Sequence, residues 1–169
     1  SEKTLLMLDD NDDARKDENF IYLYANDNGG AGYPNYDAAN YFGAVFKKFL
    51  GREDGSGGRI FDGDIPLYRY ADVVLMLAEA KNLLGEDPST EINQIRKRAY
   101  GANYVAATHA YTNGSKAANA NAILDERYKE FVGEGKRWWD LRRAGDSFVI
   151  DNVSFLAPGD EFKLVLPIT

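Results

Sequence analysis

The sequence predicts a mixed α+β domain in which helical hairpins dominate, with a small antiparallel sheet and long loops around them. Three observations carry this. Apolar residues recur at three-and-four spacing through most of residues 64–145. Two β-favouring runs, residues 20–24 and 41–49, flank a loop rich in Gly, Asn, Asp and Pro. Glycines stand where helices must stop or turn. At 169 residues and 44% hydrophobic content the chain suits one domain: a strand-and-loop region over 1–63, a helical region over 64–145, and a loop with a closing strand over 146–169.

Taken in order, Leu5, Leu6 and Leu8 allow one helical turn before Asp9-Asp10-Asn11-Asp12-Asp13, an acidic run that must be solvated or hold a cation. A calcium loop of the EF-hand type wants Gly sixth and Glu twelfth. Counted from Asp9 these are Ala14 and Phe20, so no metal site is expected. Residues 20–24 and 41–49 read as two strands, the second antiparallel to the first. Residues 51–63 read as a flexible connector. Its glycines lack the Lys-Ser or Lys-Thr of a phosphate-binding loop.

Asp64-Ile65-Pro66 is expected to open the longest helix, because Pro is tolerated in a first turn. From residue 67 to 84 apolar side chains cover most of the circumference, leaving Arg69, Asp72 and Glu79 as the main polar positions, so burial on several sides is expected. Gly85 ends it. Asp87-Pro88-Ser89-Thr90 starts a second helix running to about Tyr100, with Ile92, Ile95 and Ala99 inward. With small Ala78, Ala80 and Ala99 where helices approach, the pair is of tetratricopeptide type. One such pair cannot bury both its faces. Residues 101–119 read as a loop, and His109 in it has no Cys, second His or nucleophile beside it, so no catalytic or metal role is expected.

Residues 123–143 hold the densest pattern. Ile123, Leu124, Tyr128, Phe131 and Val132 form an apolar face, and Glu126, Glu130 and Glu134 fall four apart on another. Gly133 and Gly135 make a corner before a short helix over about 136–144. Charges interleaved with two Trp, a Tyr and a Phe must be paired where they meet buried rings, and the Arg fork suits such pairs. Glu79, Arg96, Glu126, Arg127, Glu130, Glu134, Arg137 and Asp140 are the expected structural ion-pair network. The competing reading makes two of the glutamates a glycosidase acid and base, which requires a cleft and a set separation. After Gly145 the chain turns through Pro158-Gly159-Asp160 into residues 162–168, whose alternation suits a closing strand.

Composition narrows the functional classes. A net charge of −7 argues against a nucleic-acid partner, and zero Cys excludes disulfides and thiolate metal sites. No run of about twenty apolar residues is present, so no spanning helix is expected.

Several motifs in one order resemble the C-terminal region of the SusD/RagB family. They are Ile65-Pro66-Leu67-Tyr68-Arg69-Tyr70-Ala71-Asp72 running on to Leu77-Ala78-Glu79-Ala80, then Ile92-Asn93-Gln94-Ile95-Arg96-Lys97-Arg98-Ala99. Leu124-Asp125-Glu126-Arg127 through Glu130, Glu134-Gly135-Lys136-Arg137-Trp138-Trp139-Asp140-Leu141-Arg142-Arg143 and Leu166-Pro167-Ile168 complete the set. The resemblance implies an outer-membrane, lipid-anchored, glycan-binding protein on the extracellular face. It implies capture of oligosaccharide or polysaccharide and delivery to a SusC-like TonB-dependent transporter, with no cofactor and no bond chemistry. It also implies a longer protein with a signal peptide and a lipid-bearing cysteine ahead of this chain.

Within that reading the loop over 26–37 is the candidate site. Tyr33, Tyr36 and Tyr41 can stack on sugar faces, while Asn35, Asp37 and Asn40 can bond hydroxyls. Tyr33, Asn35, Tyr36, Asp37 and Tyr41 are therefore the expected glycan contacts, although loop-tip aromatics also serve as lids over a core. The alternative from another class is a helical-repeat scaffold that docks proteins and has no sugar role.

Overall fold

The computed structural model describes residues 4, 7–24 and 41–165, with the side chains of residues 22–24 and 41–42 outside that description. Among them are seven α-helices and two small antiparallel sheets. In order these are α1 (Arg15–Asn19), β1 (Phe20–Tyr24), β2 (Tyr41–Phe46), β3 (Arg52–Glu53), β4 (Arg59–Ile60), α2 (Tyr70–Leu84), α3 (Ser89–Tyr100), α4 (Ala106–His109), α5 (Lys116–Glu130), α6 (Arg137–Ala144) and α7 (Asp146–Asn152). The mainly helical α+β class is as the sequence predicts. No helix among the described residues is long and apolar enough to cross a membrane.

The core lies between α2, α3 and α5. Ala71, Val74 and Leu75 of α2 pack on Ile95 and Phe131, and one turn further along Ala78 packs on Ile92 and Ile123. This is the three-and-four spacing of each helix brought to one line. The face opposite differs from the expectation of burial on several sides: Tyr70, Val73, Met76, Leu77, Leu83 and Leu84 are exposed, and so is Ala80. A single hairpin has only one neighbour, so the outer stripe of α2 is left in solvent.

Helix α2 begins at Tyr70, later than the expected residue 64. Asp72 Oδ2 accepts the Arg69 N–H at 3.2 Å and so fixes the first turn there. Upstream, the residue before Pro66 is steered away from helix, and Lys136 Nζ takes the Leu67 carbonyl at 2.7 Å. Helix α5 starts earlier than the apolar pattern shows, because Ser115 Oγ caps it by accepting the Ala118 N–H at 3.2 Å. It gives α5 the same 15 residues as α2.

The strands β1 and β2 pair antiparallel with Phe20 opposite Phe46 and Ile21 opposite Val45. Residues 47–49 leave the expected strand in a turn. The connector over 51–63 holds the β3–β4 hairpin, because Asp54 Oδ1 gathers the N–H groups of Ser56 (2.8 Å) and Gly58 (2.9 Å) into a tight turn. Phe46 fastens the larger sheet to the helices under Gly133. That residue has φ of 78°, and a Cβ on it would overlap the Phe46 ring. Glycine is thus required at the α5–α6 corner twice over.

Two expectations for the last region are corrected. Residues 146–152, expected as loop, form α7, whose Val149 and Ile150 are buried. Residues 161–165 form a 3-10 turn where a closing strand was expected to begin at residue 162. Asp160 accepts the Ala157 N–H at 3.1 Å and pairs with Lys163 at 2.7 Å, local contacts that hold the segment in a turn. Residues 166–168 lie outside the described residues.

The acidic run near the N-terminus folds around a cation of the chain itself. The fully buried Lys16 ammonium bonds Asp9 Oδ1 at 2.6 Å and Asn11 Oδ1 at 2.7 Å, and Tyr100 donates to Asp10 at 2.8 Å. His109 stacks on Tyr100 at 4.1 Å and its Nδ1 accepts the Val105 N–H at 2.9 Å. One ring face and one nitrogen of His109 thus serve the fold.

Candidate functional site

Helix α5 and the glycine corner place Glu126, Glu130 and Glu134 in succession, and all three side chains are buried. Each is held by cations. Glu126 accepts from Arg15 at 2.7 Å and from Arg96 at 3.0 Å. Glu130 accepts from Arg69 at 2.7 Å and from Arg98, with Arg15 3.6 Å from its other oxygen. Glu134 receives the two-toothed fork of Arg69 at 3.1 and 2.8 Å and the Lys48 ammonium at 2.5 Å. Beside this line Arg127 is buried against Asp72 (3.2 Å) and Asp140 (2.9 Å), and Arg143 joins Asp140 to Glu79.

Glu79, Arg96, Glu126, Arg127, Glu130, Glu134 and Asp140 therefore all take part in ion pairs. Arg137 is placed differently from expectation. Its guanidinium donates to the Leu124 carbonyl at 2.8 Å and to Asn152 at 2.9 Å, and lies 4.5 Å from the Tyr128 ring. The glycine corner turns α6 back along α5, so the first residue of α6 meets backbone and ring where a carboxylate was expected.

Arg15, Asp13, Lys48, Arg69, Arg98, Asp72 and Lys136 complete the network without having been singled out for it. A signal existed for two of them. Arg69 and Asp72 stand out as polar positions in an apolar run, and a polar residue there needs a buried partner. For Arg15 and Lys48 there was none, since the glutamates they meet, Glu126 and Glu134, lie far along the chain.

The electrostatics bear on chemistry. Burial alone would raise the Glu134 carboxyl, but hydrogen bonds from Arg69 and Lys48 outweigh it and hold it below its ordinary range. Asp72 and Asp13 are likewise depressed, against burial, by Lys136 and by Arg15. A general acid needs a carboxyl kept protonated near neutral pH, and these are kept ionised. Against the network lies a cavity of about 850 Å³, bordered by Lys48, Arg69, Arg98 and Glu130 and by the apolar Phe49, Phe61, Ile65 and Pro66.

Of the expected glycan contacts, Tyr33, Asn35, Tyr36 and Asp37 lie outside the described residues. Tyr41 is the first residue of β2, paired with Tyr24, and its side chain also lies outside the description.

This helical hairpin, glycine corner and twin-tryptophan helix are those of a known class. The model of the SusD family matches residues 2–155, and the chain belongs to that family. It is 39% identical over 88 residues to a SusD-like protein of Formosa agariphila, and 37% identical over 84 residues to the starch-binding protein SusD of Bacteroides thetaiotaomicron. Each match covers 50% of this chain, and 18% and 13% of the respective relative. Among solved structures it is similar to NanU of Bacteroides fragilis, with a TM-score of 0.73 and 37% identity, covering 90% of this chain and 33% of that one. A SusD superfamily protein of Bacteroides vulgatus gives a TM-score of 0.71 and 38% identity, covering 87% and 33%. The chain thus spans less than a fifth of the length of those two curated relatives.

Proposed function

We propose that this chain is part of a cell-surface glycan-binding protein. In this reading it captures oligosaccharide or polysaccharide outside the cell and passes it to a SusC-like TonB-dependent transporter, held at the outer membrane by a lipid anchor. The observation that carries the reading is the family match over residues 2–155. The name of one relative, a starch-binding protein, supplies the ligand class. No bond is made or broken: the glutamates that a hydrolase would need are engaged by arginines and a lysine, which supports capture rather than cleavage. Tyr33, Asn35, Tyr36, Asp37 and Tyr41 are the proposed contacts, rings stacking on sugar faces and the amide and carboxylate bonding hydroxyls.

Isothermal titration calorimetry against a panel of oligosaccharides tests this. Saturable heats are expected for at least one glycan, weakened about tenfold by Tyr36→Ala, the loss of one stacked ring. Flat traces for every glycan on folded protein overturn the reading. A docking scaffold is the second reading, favoured by the exposed outer stripe of α2. It predicts that Leu77→Asp abolishes capture of a protein partner and that Tyr36→Ala changes nothing.

A further inference from the structure

The cavity of about 850 Å³ beside the glutamate line falls within the ~300–1,000 Å³ range of small-molecule sites. Two phenylalanines border it, and each is held in place. Phe49 meets the Phe46 ring edge-on at 6.1 Å, and Phe46 is the residue seated under Gly133. Phe61 follows β4 directly and is 73% exposed. Its ring lies over Gly51, where a Cβ would come within 3.2 Å of Phe61 Cδ1. The next residue is pinned too, since the Arg52 fork takes Asp62 at 3.1 and 2.7 Å. Phe49, Phe61 and Ile65 are thus exposed together around one cavity, a grouped apolar patch and not scattered residues. The β3–β4 hairpin fixes a large ring where it adds nothing to the core.

The polar groups of the cavity divide into spent and unspent. Lys48, Arg69 and Glu134 are engaged with one another or with Glu130. Asn19, the last residue of α1, borders the same space and is only 5% exposed. Its side-chain amide bonds no described residue, yet neither amide atom is sealed from the surface. A buried amide that opens on a cavity without a partner in the chain is served by one from outside. Arg98 holds Glu130 through Nη2 alone, and its Nε and Nη1 bond no described residue. The charges balance. Arg15, Lys48, Arg69 and Arg98 border the cavity, and so do Glu18, Asp64, Glu130 and Glu134, four cations against four acids.

We propose that this cavity binds a neutral oligosaccharide, with the Phe61 ring as stacking platform and Asn19 and Arg98 as partners for its hydroxyl groups. A pyranose ring has an apolar face for the phenylalanine and a rim of hydroxyls that both donate and accept, as the Asn19 amide does. The unspent Arg98 nitrogens supply further donors. With four acids set against four cations, a ligand of net charge gains no field that a neutral one lacks. The inference rests on the glycan-binding reading. It adds sugar contacts on the described part of the chain, apart from those proposed at Tyr33, Asn35, Tyr36, Asp37 and Tyr41, and narrows the ligand class to neutral glycans.

Calorimetric titration of the chain with maltotriose, cellotriose, laminaritriose, mannotriose and trigalacturonate tests it. Saturable heats are expected with at least one neutral trisaccharide, and weaker binding of trigalacturonate. Phe61→Ala should weaken the neutral sugar about tenfold, and Phe61→Trp, which restores a ring, should hold it within about threefold. Phe61 is exposed, so the urea midpoint should stay level in both variants. Asn19→Leu, which removes the amide and keeps its bulk, should also weaken binding about tenfold. Should that variant fail to fold, the two Phe61 variants decide. No saturation with any neutral trisaccharide, an affinity unchanged in Phe61→Ala, or trigalacturonate binding tighter than every neutral sugar overturns the proposal. So does a concentration-dependent dimer that Phe61→Ala dissolves, since the rings would then pack on a second copy. If a glycan binds and Tyr36→Ala alone weakens it, only this inference falls; if no glycan binds at all, here or in the panel above, both fall.

Discussion

Replacing Glu130 by Gln removes one buried charge and keeps the shape. In the native structure that carboxylate faces Arg69, Arg98 and, at 3.6 Å, Arg15. Removing one partner of a buried pair costs about 3–5 kcal/mol, because the other is left uncompensated. Here the remaining cations have alternatives. Arg69 keeps Glu134, Arg15 keeps Glu126 and Asp13, and the Arg98 side chain is 56% exposed and returns to water. The lower end, about 3 kcal/mol, is therefore expected. With a urea slope of about 2 kcal/mol/M, the midpoint should fall by about 1.5 M. Glu79→Gln is the internal control, since its pair with Arg143 is half in solvent and should cost less than about 1 kcal/mol. Equal midpoint shifts for the two variants, or a loss below about 1 kcal/mol for Glu130→Gln, would refute the view that this network holds the helices together.

Two further outcomes follow from the same geometry. Asp13, Asp72 and Glu134 have folded-state pKa values below their ordinary 3.8, 3.8 and 4.5, so the unfolded chain binds more protons on acidification. The stability they confer is fully present above those ordinary values and is lost as pH falls through the depressed ones. Urea midpoints measured from pH 7 downward should hold nearly level and then drop below about pH 4.5, with a shallower drop in Glu134→Gln; an identical profile in that variant would count against the assignment. Gly133→Ala meets both a left-handed backbone and the Phe46 ring, whereas Gly135→Ala meets the backbone term alone, with open space around it. Losses of about 3 and about 1 kcal/mol are expected, read as melting temperatures, and equal losses would show that Phe46 yields freely.

Much of the helical architecture was legible because it depends on local spacing. The 20–24 strand, the 41–49 strand apart from its last three residues, the α3 boundaries and the glycine corner all follow from patterns within a dozen residues. The glutamate line was legible for a related reason: four-residue spacing beside large rings leaves a carboxylate no option but a buried partner. What could not be read was which cations answer it. Arg15, Lys48 and Arg98 look like any surface residues, and only the tertiary fold brings them to Glu126, Glu134 and Glu130. The start of α2 was misplaced because Pro66 is equally at home in a first turn and in an extended lead-in. The deciding contacts, Asp72 to Arg69 and Lys136 to Leu67, include one that spans 69 residues. The exposed outer stripe of α2 was hidden for the opposite reason, since hydrophobicity reports what a helix prefers and not which neighbour is there.

The lysine ammonium seated among Asp9 and Asn11 gives the N-terminal loop a property that bound metal would not. Its counter-ion is tethered by the backbone, so it can be neither chelated nor diluted away, and it leaves only when the segment itself unravels. A protein working in surroundings whose salt and divalent content vary keeps the shape of that loop regardless, because the neutralising charge is inherited with the sequence and never has to be gathered from outside.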